Sequence, residues 1–596
     1  MNNLIVIDFE TYYDKQYGLR KFTTEEYIRD EQFEVIGVAV KENQNDTVWC
    51  TGTHSEIKTF LNSFNFEGSF CIGHNMRFDG AILNWIFDIR PLGLMDTMGM
   101  GQLLHGLTES VSLKNLSRLY NIGEKGTEVL DALGKHRKDF SPNDLDSYGK
   151  YCINDVDLTY HLFHHMISKF TAIEIKLIDL TIRMFTEPKL VVDKVLLIKH
   201  LDDVRNSKQE LLAKAQEIIT VDDGVSDDGV LDKKYLMSNP KFAELLASLG
   251  AEIPIKISDT TGKETYAFAK TDEGFIGLLN HPDDRVQILA AARVGNKSTI
   301  EETRTENFIN MQNLPRTSQL RKALCAPKGF KLVVSDLSNI ELRLAYWFAK
   351  STSKVDLIRQ GVDLYKQSAS ELTGTDYDKV SKEVRFIFKV VNLSGIYGVG
   401  HVKMHSILKA GGVEKSLNEV KNIVYAYRNS NPELVKAWHD AGWMLDAVHG
   451  GQSYSMGANN IVTSIPKIGM LKPNKMILAL PNLRKIVDSK TGRDSWVYDK
   501  IIGRTLTHEC MHPAKVFQRC IQSLARDIIG EQLVAVSKKY RVIMTVHDEL
   551  VMLCPDNKTE DCVSFVEKCM TTAPEWCSDL PLGCEIGVGI NYMDAK

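Results

Sequence analysis

Ile543-Met544-Thr545-Val546-His547-Asp548-Glu549-Leu550-Val551-Met552-Leu553 sets three polar residues between two apolar runs, a pattern that predicts a strand, a tight turn and a second strand. A turn by itself accounts for an Asp-Glu pair, because short polar side chains suit turn backbone. A second stretch adds weight: Phe330-Lys331-Leu332-Val333-Val334-Ser335-Asp336 follows the turn Ala326-Pro327-Lys328-Gly329 and also ends an apolar run on an acid. An acid at a strand end is common, so Asp336 and Asp548 are candidate site residues whose meaning depends on the rest of the chain.

Working outward, residues 337 to 450 carry long helical patterns, and about 451 to 500 turn to Gly, Ser, Asn and Pro, which predicts irregular loops. A helix is predicted from Pro513 to Lys539, ahead of the strand pair Arg541 to Val546 and Glu549 to Leu553. Upstream, 171 to 310 reads as mostly helical, broken by the acidic loop Val221-Asp222-Asp223-Gly224-Val225-Ser226-Asp227-Asp228-Gly229. Arg293 and Lys297 in this region either meet phosphates or form a solvated helix face. Residues 1 to about 170 alternate strand-like runs, Leu4 to Phe9 and Val35 to Val40, with a helical stretch from Asp144 to Phe170.

A chain of 596 residues exceeds what one core supports, and about three or four packed units are expected. Hydrophobic residues at 43% and charged residues at 25% are ordinary for a folded protein, and no stretch reaches the length of a bilayer span. The N-terminus runs straight into a strand and nothing in it directs export, which implies a cytoplasmic protein, or one in the host cytoplasm if the source is viral. Eleven cysteines without a Cys-x-x-Cys pair read as buried small hydrophobes in a reducing compartment. The net charge of -5 gives no global attraction to nucleic acid, so any basic groove must be local.

In Ile5-Val6-Ile7-Asp8-Phe9-Glu10 the strand period sets Asp8 and Glu10 on one face and Phe9 on the other. Gly73-His74-Asn75-Met76-Arg77-Phe78-Asp79 adds a third acid, and Tyr151-Cys152-Ile153-Asn154-Asp155 spaces Tyr151 and Asp155 one helical turn apart. The order Asp-x-Glu, Asn-x-x-Phe-Asp, Tyr-x-x-x-Asp resembles the three motifs of DEDD-type 3′→5′ exonucleases, which have a ribonuclease-H-like fold. The resemblance implies that Asp8, Glu10, Asp79 and Asp155 bind two Mg²⁺ ions and that Tyr151 orients the attacking water.

The rest of the chain follows the same logic of ordered motifs. Asn313-Leu314-Pro315-Arg316, then Asp336-Leu337-Ser338-Asn339-Ile340-Glu341-Leu342-Arg343, then a helix from Arg385 to Gly398, then Val546-His547-Asp548-Glu549 resemble in order the motifs of family A DNA polymerases, the bacterial polymerase I type with bacteriophage relatives. The fold so implied is α/β and α+β multidomain. An exonuclease domain (1–170) precedes a right hand with a helical linker and thumb (171–310) and palm and fingers (311–596, fingers about 350–450).

The implied activity is template-directed addition of dNTPs to a primer 3′ end, with proofreading, in DNA replication. Asp336 and Asp548 would hold two Mg²⁺, with Mn²⁺ able to substitute, supported by Glu549 and His547. Arg385, Lys389, Leu393 and Tyr397 recur every four residues on one broad helix face. By resemblance Arg385 and Lys389 grip the nucleotide phosphates, Tyr397 packs near the templating pair, and Glu341 excludes a ribose 2′-hydroxyl. Leu393 replaces the usual aromatic residue, Leu337 the usual Tyr, and Tyr365 a phosphate-binding His found in many relatives. Arg316, Arg321 and Gln522 match residues that follow the primer–template minor groove. Primer–template DNA, dNTPs and replisome proteins are the implied partners, with no membrane. Two rivals remain: an exonuclease whose C-terminal half binds DNA without polymerising, and a repair or translesion polymerase that does not proofread.

Overall fold

The computed structural model describes residues 3–596 except 127–131, 219–235, 259–262, 271, 298–301, 303–304, 306–318, 488–491, 493 and 504. Arg316 and the acidic 221–229 stretch lie outside the described residues. The chain divides into two compact units. One holds Met1–Lys189, Lys328–Val588 and Ala595–Lys596, the other Leu190–Pro327 and Gly589–Asp594.

The N-terminal part of the first unit is built on a five-stranded mixed sheet. Its central strand, Asn3–Thr11, pairs antiparallel with Val35–Glu42 and parallel with Ser69–Gly73. Val48–Thr51 and Gly93–Asp96 form the edges. Alternation decides which residues meet which layer: Ile5, Ile7 and Phe9 enter one apolar cluster with Ile82 and Leu83. Val6 points the other way, into a cluster with Cys152, Val156 and Leu162 of the helix Pro142–Met166. Asp8 and Glu10 share the Val6 face, as the period of two requires. The helix opens with a capping box at Ser141 and Asp144, which fixes its start close to the predicted one.

A second sheet, of four strands, runs in the order Arg541–Val546, Glu549–Pro555, Phe330–Leu337, Cys584–Gly589. Phe330–Leu337 and Glu549–Pro555 are antiparallel, with Asp336 opposite Glu549. The hairpin predicted at His547-Asp548 is present: Val546 pairs with Glu549, and His547 has φ 58°. A two-residue hairpin loop needs a positive φ at its first position, so the backbone is bent where the acid must be presented.

Helices Ile340–Phe348, Pro432–Gly450 and Pro513–Ser537 pack together behind this sheet. The helix expected over Arg385–Gly398 spans Lys382–Gly395 instead. Gly398 has φ 69° and lies where a Cβ would come 3.0 Å from that of Ala514, so the chain leaves helical geometry before Tyr397 and Gly398.

The expectation of irregular loops over 451–500 is corrected by two small antiparallel sheets. One joins Ser455–Met456, Val462–Ile465, Gly469–Leu471 and Ile477–Ala479; the other joins Arg484–Val487, Asp494–Ile502 and Thr505–Met511. Most of these strands are three or four residues long, too short for periodicity to show. They connect distant parts of the unit. Met476 sits in the cluster of Val6, Ile72 and Cys152, Ile501 N–H donates to the Leu107 carbonyl at 2.7 Å, and Asn474 Nδ2 donates to Glu174 at 2.9 Å. Lys472 Nζ meets both carboxylate oxygens of Asp527 at 2.8 Å, and both side chains are buried.

The second unit pairs the long helix Lys194–Ile218 with Asp284–Lys297 around Phe242, Phe268, Phe275 and Leu289. Arg293 is 0% exposed, so neither reading of it as a phosphate contact or a solvated charge holds. Its guanidinium lies 4.4 Å from the ring centroid of Phe242 and 4.9 Å from that of Phe268, and donates to the Leu236 carbonyl. Burial pulls its pKa down to about 10, and the aromatic faces and carbonyls are what compensate the buried cation.

Candidate active sites

Two groups of carboxylates stand out in the first unit. In the N-terminal sheet, Asp8, Glu10 and Cys152 bring ligand atoms within 4.8 Å of one another. Asp79 joins from the helix Met76–Trp85, its Oδ1 accepting from Phe9 N–H at 3.2 Å. Burial, with Asp155 beside it, pushes the Asp8 carboxyl up to about 7. Burial and the neighbouring Asp8 raise Glu10 and Asp79 well above the usual carboxylate range. Such crowding fits a site made for cations, and the oxygen donors suit a hard ion such as Mg²⁺.

Cys152 is buried, as its reading as a small hydrophobe expects, yet its thiol also approaches Asp8 Oδ2 at 3.7 Å. Burial and the surrounding acids hold that thiol well above its usual range, so it stays protonated and the carboxylates are the donors. Tyr151 is near the group, its hydroxyl raised by burial and by Asp155. Sequence reasoning missed Tyr148, which donates to Glu10 Oε2 at 2.5 Å and stacks on Tyr151 with centroids 6.1 Å apart. The spacing of three on one helix was the available signal. A cavity of about 810 Å³ opens beside Glu10, lined by Tyr13, Lys15, Arg20, Lys21 and Phe78 among others.

The second group lies at the end of the four-stranded sheet. Asp336, Asp548, Glu341, Lys389, Leu393 and Gln522 line one cavity of about 710 Å³, together with His547 and Arg526, the last unforeseen. Burial and then Asp548 raise the Asp336 carboxyl, while Lys596 lowers it. Lys596 Nζ is 3.7 Å from Asp336 and pairs with Glu549, which is buried outside the lining.

Two predicted residues reach this cavity only through partners. Tyr397 donates to Glu341. Arg385 Nε donates to Asp363 at 2.6 Å and lies over the ring of Tyr365, whose hydroxyl donates to Asn339 at 2.6 Å. Arg321 belongs to the second unit, where its guanidinium covers the ring of Tyr592 at 4.9 Å.

The family model for DNA polymerase family A matches residues 298–456 and 496–594, which hold every residue of the second group from Asp336 to Asp548. This part of the chain belongs to DNA polymerase family A. A 3′-5′ exonuclease model matches residues 19–170, covering Asp79 and Asp155, while Asp8 and Glu10 precede the match and are joined to it by the sheet. The family match leaves out 457–495, most of the segment that forms the two small sheets.

The polymerase is 24% identical to the DNA polymerase of Bacillus phage SP02, covering 93% of this chain and 92% of that one. It is 22% identical to DNA polymerase I of Rhizobium leguminosarum, covering 88% of this chain but 51% of the bacterial one. The fold is similar to that of the POL domain of Pol1 from M. smegmatis, with TM-score 0.67 and 17% identity over the whole chain and 96% of that structure. The polymerase is thus a DNA-directed DNA polymerase with an attached 3′→5′ exonuclease, and the reading of a DNA-binding, non-polymerising C-terminal half is not favoured. Domains of both kinds depend on divalent metal ions. Among the described residues no helix is long and apolar enough to cross a membrane.

Proposed function

We propose that this polymerase replicates DNA, extending a primer at the Asp336–Asp548 centre and removing mispaired 3′ ends at the Asp8–Asp155 centre. The observation that carries the reading is the shared cavity of Asp336, Asp548, Lys389 and Gln522, which sets two acids, a lysine side chain and a hydrogen-bonding amide around one space. Each centre takes two Mg²⁺, with Mn²⁺ able to replace them. Bound metal supplies Lewis-acid activation of the attacking oxygen and neutralises charge on the leaving one.

Asp336 and Asp548 hold that metal, and Glu549 steadies the strand pair behind it with His547 at the bend. Lys389 and Arg385 bind the β- and γ-phosphates, and the bond from Asp363 orients the Arg385 guanidinium. Glu341 fills the space a 2′-hydroxyl would need, and Tyr397 holds Glu341 there. Leu393 offers an aliphatic surface to the sugar. Gln522, Arg321 and Arg316 follow the primer–template minor groove. In this assignment 1–170 is the exonuclease domain, 171–310 the helical linker and thumb, and 311–596 the palm and fingers.

At the exonuclease centre Asp8, Glu10, Asp79 and Asp155 hold metal, and Tyr151 orients the attacking water. Tyr13, Phe78 and the cations Lys15, Arg20 and Lys21 receive the unpaired 3′ end by stacking and charge. The experiment is a cross of two variants: Asp336→Ala abolishes primer extension and spares digestion of single-stranded 3′ ends, and Asp8→Ala does the reverse. Loss of both activities in either variant would refute two independent centres.

A further inference from the structure

A lysine that the motifs do not include reaches the exonuclease carboxylates. Lys125 lies in the connection between the helices Leu113–Tyr120 and Pro142–Met166. Its ammonium pairs with Asp155 Oδ2 and stands 4.9 Å from the ring centroid of Tyr151. The placement is built. Asn154 Nδ2 donates to the Glu124 carbonyl at 3.0 Å, and Gly123, with φ 140°, leaves room for Leu158 where a Cβ would stand 2.9 Å away. The chain just before Lys125 is therefore fastened to the helix that bears Tyr151 and Asp155.

A surface ion pair joins two solvated side chains and is worth little. This one ends on a carboxylate whose side chain is 4% exposed and which belongs to the metal-binding quartet. The charge of Lys125 also holds down Asp8 and Glu10 against the burial that raises them. A divalent ion arriving at Asp155 competes with the ammonium for the same oxygen. Displaced, the ammonium remains tethered at the site and needs another anion. The scissile phosphodiester of a 3′ end, brought to the same metal, is the one the reaction delivers.

We propose that Lys125 is a further active-site residue of the exonuclease, a cation that passes from Asp155 to a non-bridging oxygen of the scissile phosphate when metal and a DNA 3′ end bind. In the hydrolysis the water oxygen bonds to phosphorus as the bond to the penultimate 3′ oxygen breaks. That oxygen takes up a proton and a nucleoside 5′-monophosphate leaves. The Lys125 side chain offsets the charge that builds on the phosphoryl oxygens. The inference rests on the reading of Asp8, Glu10, Asp79 and Asp155 as metal ligands.

The test uses the full-length chain carrying Asp336→Ala and Asp548→Ala, so that Mn²⁺ titration calorimetry reports on the exonuclease centre alone. Lys125→Met is expected to slow single-turnover digestion of a single-stranded oligodeoxynucleotide about a hundredfold, with Mn²⁺ affinity equal or higher. Lys125→Arg is expected to restore most of the rate. Digestion at the parental rate by Lys125→Met would overturn the proposal. So would a loss of Mn²⁺ affinity in step with the rate, since that would make Lys125 a prop for Asp155. Asp8→Ala in the same background must lose Mn²⁺; if it does not, the ligand reading itself fails, and this outcome is separate from the behaviour of Lys125.

Discussion

The hydroxyl of Tyr397 donates to the carboxylate of Glu341, tying the segment just past the Lys382–Gly395 helix to the first turn of the helix Ile340–Phe348, which follows the strand that carries Asp336. A carboxylate held in this way excludes a sugar hydroxyl better than a mobile one. Removing the tether by Tyr397→Phe is expected to lower the preference for dNTP over rNTP about tenfold, and Glu341→Ala about a hundredfold. Ratios of kcat/KM for matched dNTP and rNTP check both, and an unchanged ratio in Glu341→Ala would remove Glu341 from sugar selection.

Lys596 lowers the Asp336 carboxyl against the raising effects of burial and Asp548. Lys596→Ala is therefore expected to let Asp336 hold its proton to higher pH. The acid limb of the pH–rate profile for extension should move upward, and Lys596→Arg should keep it in place. A profile that does not move would show that the ammonium is irrelevant to Asp336.

Burial pushes the Asp8 carboxyl up to about 7, and it also raises Glu10 and Asp79. An acid raised on folding makes the folded state bind more protons than the unfolded one. The metal-free protein should lose stability as pH rises from about 4, the ordinary carboxylate range, through about 7. Mg²⁺ must displace those protons, so its affinity should rise over the same window with proton release greater at pH 6 than at pH 8. Calorimetry in buffers of different ionisation enthalpy measures this directly.

The buried pair of Lys472 and Asp527 has a mixed energy. Burial raises Asp527 to about 6 even with Lys472 against it. Lys472→Met leaves a buried carboxylate without its ammonium and should cost about 3 to 5 kcal/mol, whereas Lys472→Met with Asp527→Leu should recover most of that loss. Denaturant titration of the three proteins decides, and an additive double variant would contradict the pairing.

Both groups of acids were legible because their residues lie in short local patterns. Asp8 and Glu10 follow from a period of two, and Asp548 from three polar residues between apolar strands. What escaped is non-local. Tyr148 lies 138 residues from Glu10, and Lys472 is 55 from Asp527, so no spacing rule links them. Arg293 was misread because a charge on a helix is usually solvated, and nothing local announces that Phe242 and Phe268 enclose it. The small sheets of 455–511 escaped because strands of three or four residues rich in turn formers look like loops.

Met476 comes from the segment that the family match leaves out, yet it belongs to the core of Val6, Ile72 and Cys152. The exonuclease part is consequently not a cassette that can be cut away at residue 170: excision would open a hollow next to Val6 and Cys152. Inheritance faces the same restriction. A lineage that exchanged its exonuclease for another would have to exchange or rebuild 457–495 along with it, so these two stretches are expected to travel together through evolution.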